Sequence, residues 1–189
     1  MDPIILIHGF GANTKQYIPI VKYLKEKGID NIYEFDYPNK FGFLSLKANA
    51  KDLAEFIEQN IKEKNINLIG ISQGGIIALA YLKFYKNREV KKLFTLCTPH
   101  KGSVLAKKVK LPGIIELRPD SQLLKELEDF AKESKIEIYS VYTPFDLMVF
   151  PGWNAKTDCG KNKMVLAPLH PLAFVWPSVK KFIHDNLTK

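Results

Sequence analysis

Short β-branched and apolar runs alternate with longer segments of helical period along this chain. That alternation constrains the fold most, because it is the pattern of crossover units on a mostly parallel sheet. Residues 3–7 form the first run. After a loop holding Gly9, Gly11 and Asn13, residues 15–27 set Tyr17, Ile20, Val21 and Leu24 on one helical face and stop at Gly28. Residues 31–35 read as the next strand, with a turn over 36–39. From about 44 to 64, Leu46, Ala50, Leu53, Phe56, Ile57 and Ile61 recur every three or four positions, which predicts a long amphipathic helix. Residues 66–71 read as a buried strand and 73–85 as an apolar helix deep against the sheet. Residues 90–97 and 136–142 are two further strands, 164–166 a short last one, and 177–186 a closing helix.

At 189 residues the chain is expected to form one domain, 1–189. No apolar run approaches the roughly 20 residues that span a bilayer, and no secretory start is visible, so a cytoplasmic protein is expected. Cys97 and Cys159 are too few for a disulfide framework and read as a buried thiol and a loop thiol. The formal charge of +8 favours anionic partners and allows a weak membrane-surface contact, yet the lysines are spread along the chain and read as solvated surface. No nucleic-acid-binding module is present, so no nucleic-acid partner is expected. These patterns do not speak to oligomeric state.

The strongest chemical signal is Gly70-Ile71-Ser72-Gln73-Gly74. About one chain in twenty of this length would show G-x-S-x-G by chance, so its placement between a buried strand and a helix carries more weight than its letters. Such an elbow raises a serine hydroxyl above the strand ends, and flanking glycines let neighbouring backbone approach. The bland alternative is an N-cap serine without chemistry. A carbonyl under attack needs two donors for its oxyanion. One is the N–H of Gln73; the other is expected from the loop His8-Gly9-Phe10-Gly11, with Phe10 the best candidate. His8, at a strand end, is expected to hydrogen-bond structurally.

With these elements the sequence resembles the α/β hydrolases, and more closely their small bacterial lipases and esterases. The resemblance rests on the opening Ile-Leu-Ile-His-Gly-Phe-Gly, the elbow, Thr98-Pro99-His100-Lys101-Gly102-Ser103, Arg118-Pro119-Asp120-Ser121, and the final acid and histidine regions. It implies a minimal α/β-hydrolase fold, with a mostly parallel sheet of about six strands and helices on both faces; the chain departs from larger members in lacking the usual first hairpin and in a cap reduced to about 104–134. The resemblance also implies a triad in the order Ser, acid, His. Ser72 is then the nucleophile, Asp146 the acid just past the strand ending near Tyr142, and His170 the base, in a loop before the closing helix. His184 reads as surface and His100 as mainly structural; Asp158 and Asp120 are rival acids. The expected activity is hydrolysis of carboxylic esters, as an esterase or lipase on small-molecule or lipid esters, through an acyl-enzyme and with no metal or organic cofactor. Acyl transfer, thioester cleavage and a non-catalytic module are the alternatives.

In the reduced cap, Leu105, Val109, Leu111, Ile114 and Ile115 either cover an acyl pocket or pack the base of a helix. A small cover implies an exposed site and little interfacial activation. Trp153 is expected to cap the core edge, with lining the acyl site or contacting lipid as alternatives.

Overall fold

The computed structural model describes residues 1–38 and 41–189. Its sheet has six strands, β1 (Ile4–Ile7), β2 (Ile32–Phe35), β3 (Asn65–Ile71), β4 (Glu89–Leu96), β5 (Glu137–Tyr142) and β6 (Lys161–Met164), in the order 2-1-3-4-5-6. Every pairing is parallel. All strands therefore end at one edge, and the loops after them share it.

β1 shows why the sequence reads as it does. Its four residues are fully buried, and they divide by twos: Ile5 and Ile7 join the core on one face, Ile4 and Leu6 the core on the other. A parallel strand covered on both faces has no polar side, so alternation disappears and a continuous apolar run remains. On the first face lie α2 (Leu46–Asn60), α3 (Gln73–Phe84) and α5 (Gln122–Glu133). On the second lie α1 (Ile18–Glu26), α6 (His170–Val175) and α7 (Pro177–Leu187). A single turn, α4 (Pro112–Ile115), precedes α5.

Several boundaries differ from expectation. The first helix opens as a 3₁₀ turn, Thr14–Tyr17, because Asn13 accepts a hydrogen bond from the Lys15 N–H and starts the turn early. α2 begins after Ser45, whose hydroxyl accepts from Ala48 N, and ends at Asn60; Ile61 is already extended yet fully buried, so its apolar character prolonged the helical pattern. The last strand lies at Lys161–Met164 instead of 164–166. It is a polar edge strand, Lys-Asn-Lys-Met, and an edge strand need not be apolar. Of the expected turn over 36–39, Asn39 lies outside the described residues.

Segment 104–134 divides in two. Leu123, Leu124, Leu127 and Ala131 of α5 enter the core beside α3, so this helix covers the sheet. The 3₁₀ turn Val104–Lys108 and α4 instead bring Leu105, Ala106 and Ile114 beside Ser72, at the end of β3. No helix among the described residues is long and apolar enough to cross a membrane.

Candidate active site

Ser72 is the residue between β3 and α3, with φ 53° and ψ −122°. This left-handed backbone costs a non-glycine residue about 1–3 kcal/mol and persists only where surroundings enforce it. Here they do. Ser72 N donates to Leu96 O over 2.7 Å, and Gly75 N donates to Ser72 O over 3.0 Å. A Cβ on Gly70 would run into the backbone of Gly74 and Gly75, and one on Gly75 would meet Thr98, so the turn closes only with glycine at both places. The Ser72 hydroxyl makes no capping bond to α3, contrary to the bland reading of a serine at this position, and it has no hydrogen-bond partner among the described residues.

Two neighbouring loops complete the surroundings. Gly9 packs so closely on Ser72 that an added Cβ would lie 3.1 Å from the serine Cβ. Its N–H is held by Gln16 Oε1 at 2.8 Å. His8 is fully buried: Nε2 is 3.0 Å from Asp36 Oδ1, Nδ1 2.8 Å from Gly9 O, and its ring stacks on Tyr37 at 4.1 Å. Tyr37, whose hydroxyl burial pushes well above its ordinary pKa, donates to His8 O and receives a bond from Gln73 Nε2. His8 thus ties the Phe10 loop to the second strand. Gln73 opens α3, where its N–H has no partner within the helix.

Asp146 lies four residues beyond β5, buried to 1% exposure. Its Oδ1 accepts from the N–H groups of Met148 (2.9 Å) and Val149 (2.8 Å), leaving Oδ2 aimed at His170 Nδ1, 2.7 Å away. A carboxylate at Nδ1 places the ring proton there and leaves Nε2 as acceptor. His170 is the first residue of α6, not a loop residue: Pro171 fits the first turn of a helix, and its ring is buried against Phe174. Asp146 and His170 are brought together. Among the described residues no hydrogen bond joins them to Ser72, as is common in unliganded sites where such bonds form on substrate binding.

Cys97 is the buried thiol expected, but its place beside the acid and the histidine was not foreseen. It follows β4 as Ser72 follows β3, has φ 52°, and is fully buried. Its Sγ, an oxygen of Asp146 and a nitrogen of His170 lie within 4.8 Å of one another, a grouping of metal-ligand type. Burial first, and the Asp146 charge second, push the thiol pKa well up, which disfavours the thiolate a metal needs. The imidazole and carboxylate are already paired, so the group reads as an acid–histidine pair with a packed thiol beside it.

The other candidates lie elsewhere. His100 Nε2 is 2.8 Å from Thr95 Oγ1, and its burial lowers the pKa to about 4. Asp158 is exposed and paired with Lys101, while Asp120 is exposed 3.9 Å from Lys107. His184 is half-buried on α7, its ring edge-on to Tyr23, instead of fully at the surface. Trp153 is 59% exposed, so it does not cap the core.

Ser72 opens into an apolar pocket of about 270 Å³, close to the lower end of small-molecule sites. Phe10, Leu105, Val109, Ile114 and Leu147 line it; Leu111 packs against the core and Ile115 is exposed.

The model of the family described as palmitoyl protein thioesterase matches residues 3–147. Over 146 residues the chain is 27% identical to the monoacylglycerol lipase ABHD6 of Rattus norvegicus, spanning 71% of this chain and 38% of that protein. It is 26% identical over 118 residues to palmitoyl-protein thioesterase 3 of Dictyostelium discoideum, spanning 59% and 40%. The chain thus spans about two fifths of the length of these relatives. Among solved structures, Aspergillus fumigatus lipase B superposes with a TM-score of 0.84 at 18% identity, covering all of this chain and 52% of that one.

Proposed function

The chain belongs to the palmitoyl protein thioesterase family, within the α/β hydrolases, and from that premise we propose that it is a serine hydrolase cleaving carboxylic esters through an acyl-enzyme on Ser72. The observation that carries this reading is the strained Ser72, whose hydroxyl is unpaired among the described residues at the floor of an apolar pocket. A structural serine would cap the helix, and this one does not.

In the proposed cycle the Ser72 oxygen bonds to the acyl carbon while its proton passes to His170 Nε2. Asp146 holds the imidazole by Nδ1 and stabilises the imidazolium. The N–H groups of Phe10 and Gln73 receive the oxyanion. Collapse breaks the bond to the alcohol oxygen, which takes the proton from His170. Water then repeats the sequence, releases the acid and restores the serine.

The family description and the Dictyostelium relative favour a second reading on the same site, in which the leaving atom is a thioester sulfur. Hydrolysis of p-nitrophenyl esters from acetate to palmitate, with matched thioesters, by the wild type and by Ser72→Ala tests both. Ester cleavage that vanishes in the variant supports the first reading. Thioester cleavage alone supports the second, and inertness on both series contradicts hydrolysis.

A further inference from the structure

The loops after the strands share one edge of the sheet, and their composition is unlike the rest of the surface. Phe43, Phe145, Leu147 and Leu166 are 63%, 54%, 64% and 64% exposed there. With other exposed apolar side chains of these loops they make up an apolar collar. The rings of Phe10 and Phe41 meet edge to face at 6.1 Å, and Gly42 sits against Ile114. Phe10, Val109 and Leu147 border the pocket, and Val104 N bonds Phe150 O at 2.9 Å. Exposed apolar surface of this extent around a pocket marks an interaction face.

Its charge names the partner. The chain has 20 acidic residues, but segments 41–47, 101–115, 143–156 and 165–176, which carry the collar, hold one, Asp146, and it is buried. Lysines are present: Lys107, Lys108 and Lys110 stand exposed beside Val104, Leu105 and Val109, and Lys108 and Lys110 have no ion pair among the described residues. At the opposite edge, lysines are interleaved with Asp2, Glu89 and Glu137. We propose that this collar docks the protein on an anionic lipid surface, its apolar side chains entering the headgroup boundary and its lysines meeting lipid phosphates. This rests on the hydrolase reading only in making the bilayer the source of an acyl substrate, which would enter the pocket from the docked side.

Flotation of the full chain with vesicles of phosphatidylcholine, alone or mixed with phosphatidylglycerol, tests the surface. The Ser72→Ala protein is run in parallel, and p-nitrophenyl acetate hydrolysis and thermal melting are recorded for every variant, so docking and catalysis are scored separately. The wild type and Ser72→Ala are expected to float with the mixed vesicles, less so in high salt. Lys108→Gln with Lys110→Gln should weaken the partition on the order of 30-fold, about five-fold per lysine. Phe43→Ser with Val104→Ser should weaken it at least roughly ten-fold while melting and acetate hydrolysis hold. The opposite-edge pair Lys91→Gln and Lys135→Gln should change it little. The proposal is overturned if the wild type does not float, if the opposite-edge pair costs as much as the collar pair, or if light scattering shows the collar joining two copies that leave the vesicles free.

Discussion

Thr143 donates its hydroxyl to the carbonyl of Ala167 over 2.7 Å, in a fully buried contact. It ties the loop that carries Asp146 to the loop that leads into His170, three residues before each partner. Thr143→Val keeps the shape and leaves that carbonyl unpaired, at a cost of about 1–3 kcal/mol. We expect a melting temperature lower by several degrees and a reduced kcat with KM nearly unchanged, since the tie positions the pair without touching substrate. Loss of stability with full kcat would show that the two loops hold their places independently.

Asp146→Asn tests the acid. An amide facing Nδ1 of His170 favours the tautomer with the proton on Nε2, and that nitrogen can no longer accept from Ser72. A fall in kcat of roughly 10³–10⁴-fold is expected, with melting changed far less. A fall under ten-fold would remove Asp146 from the proposed triad.

Gly74→Ala and Gly28→Ala separate site geometry from backbone strain. A Cβ on Gly74 would enter the carbonyls of Ile7 and His8 and push the Phe10 loop off the elbow. We expect about 1–3 kcal/mol of destabilisation together with lost activity. Gly28 has φ +77° and nothing within 4 Å, so alanine there should cost about 1–2 kcal/mol and leave kcat intact. Equal kinetic effects in the two variants would contradict the close packing of the loop on α3.

His100 governs part of the acid response. Its pKa is about 4 in the fold, against an ordinary 6.5 in the unfolded chain, so between those values the unfolded state binds the extra proton. Stability should therefore fall as pH drops from about 6.5 towards 4, by at most a few kcal/mol from this group. Urea unfolding across that range should show a shallower slope for His100→Gln than for the wild type. Parallel slopes would mean that the imidazole is solvated.

Much of this fold was legible because a two-sided parallel sheet writes itself as solid apolar runs such as Ile4–Ile7, and its cover helices as stripes such as that of α2. What escaped reading follows from the same physics. β6 pairs on one side only and tolerates Lys-Asn-Lys-Met, so no apolar signal marked it. α6 is one and a half turns long and opens on His170-Pro171, too short for a periodic pattern. α5 has the stripe of a core helix and lies in the core, although chain order set it in the cap segment. That Asp146 and His170 would meet followed from the chain order the resemblance implies, and they lie 2.7 Å apart; their catalytic roles are the proposal. Cys97 was legible as a buried thiol, but no motif marked its positive φ or its approach to Asp146.

The central claim is that Ser72 is a nucleophile activated by His170. Treating the wild type, Ser72→Ala and His170→Ala with a fluorophosphonate, then measuring intact mass and mapping the modified peptide, tests it most directly. One adduct on Ser72 is expected in the wild type, none in Ser72→Ala, and labelling slowed by orders of magnitude in His170→Ala. No adduct in the wild type, or equally fast labelling without His170, would contradict it.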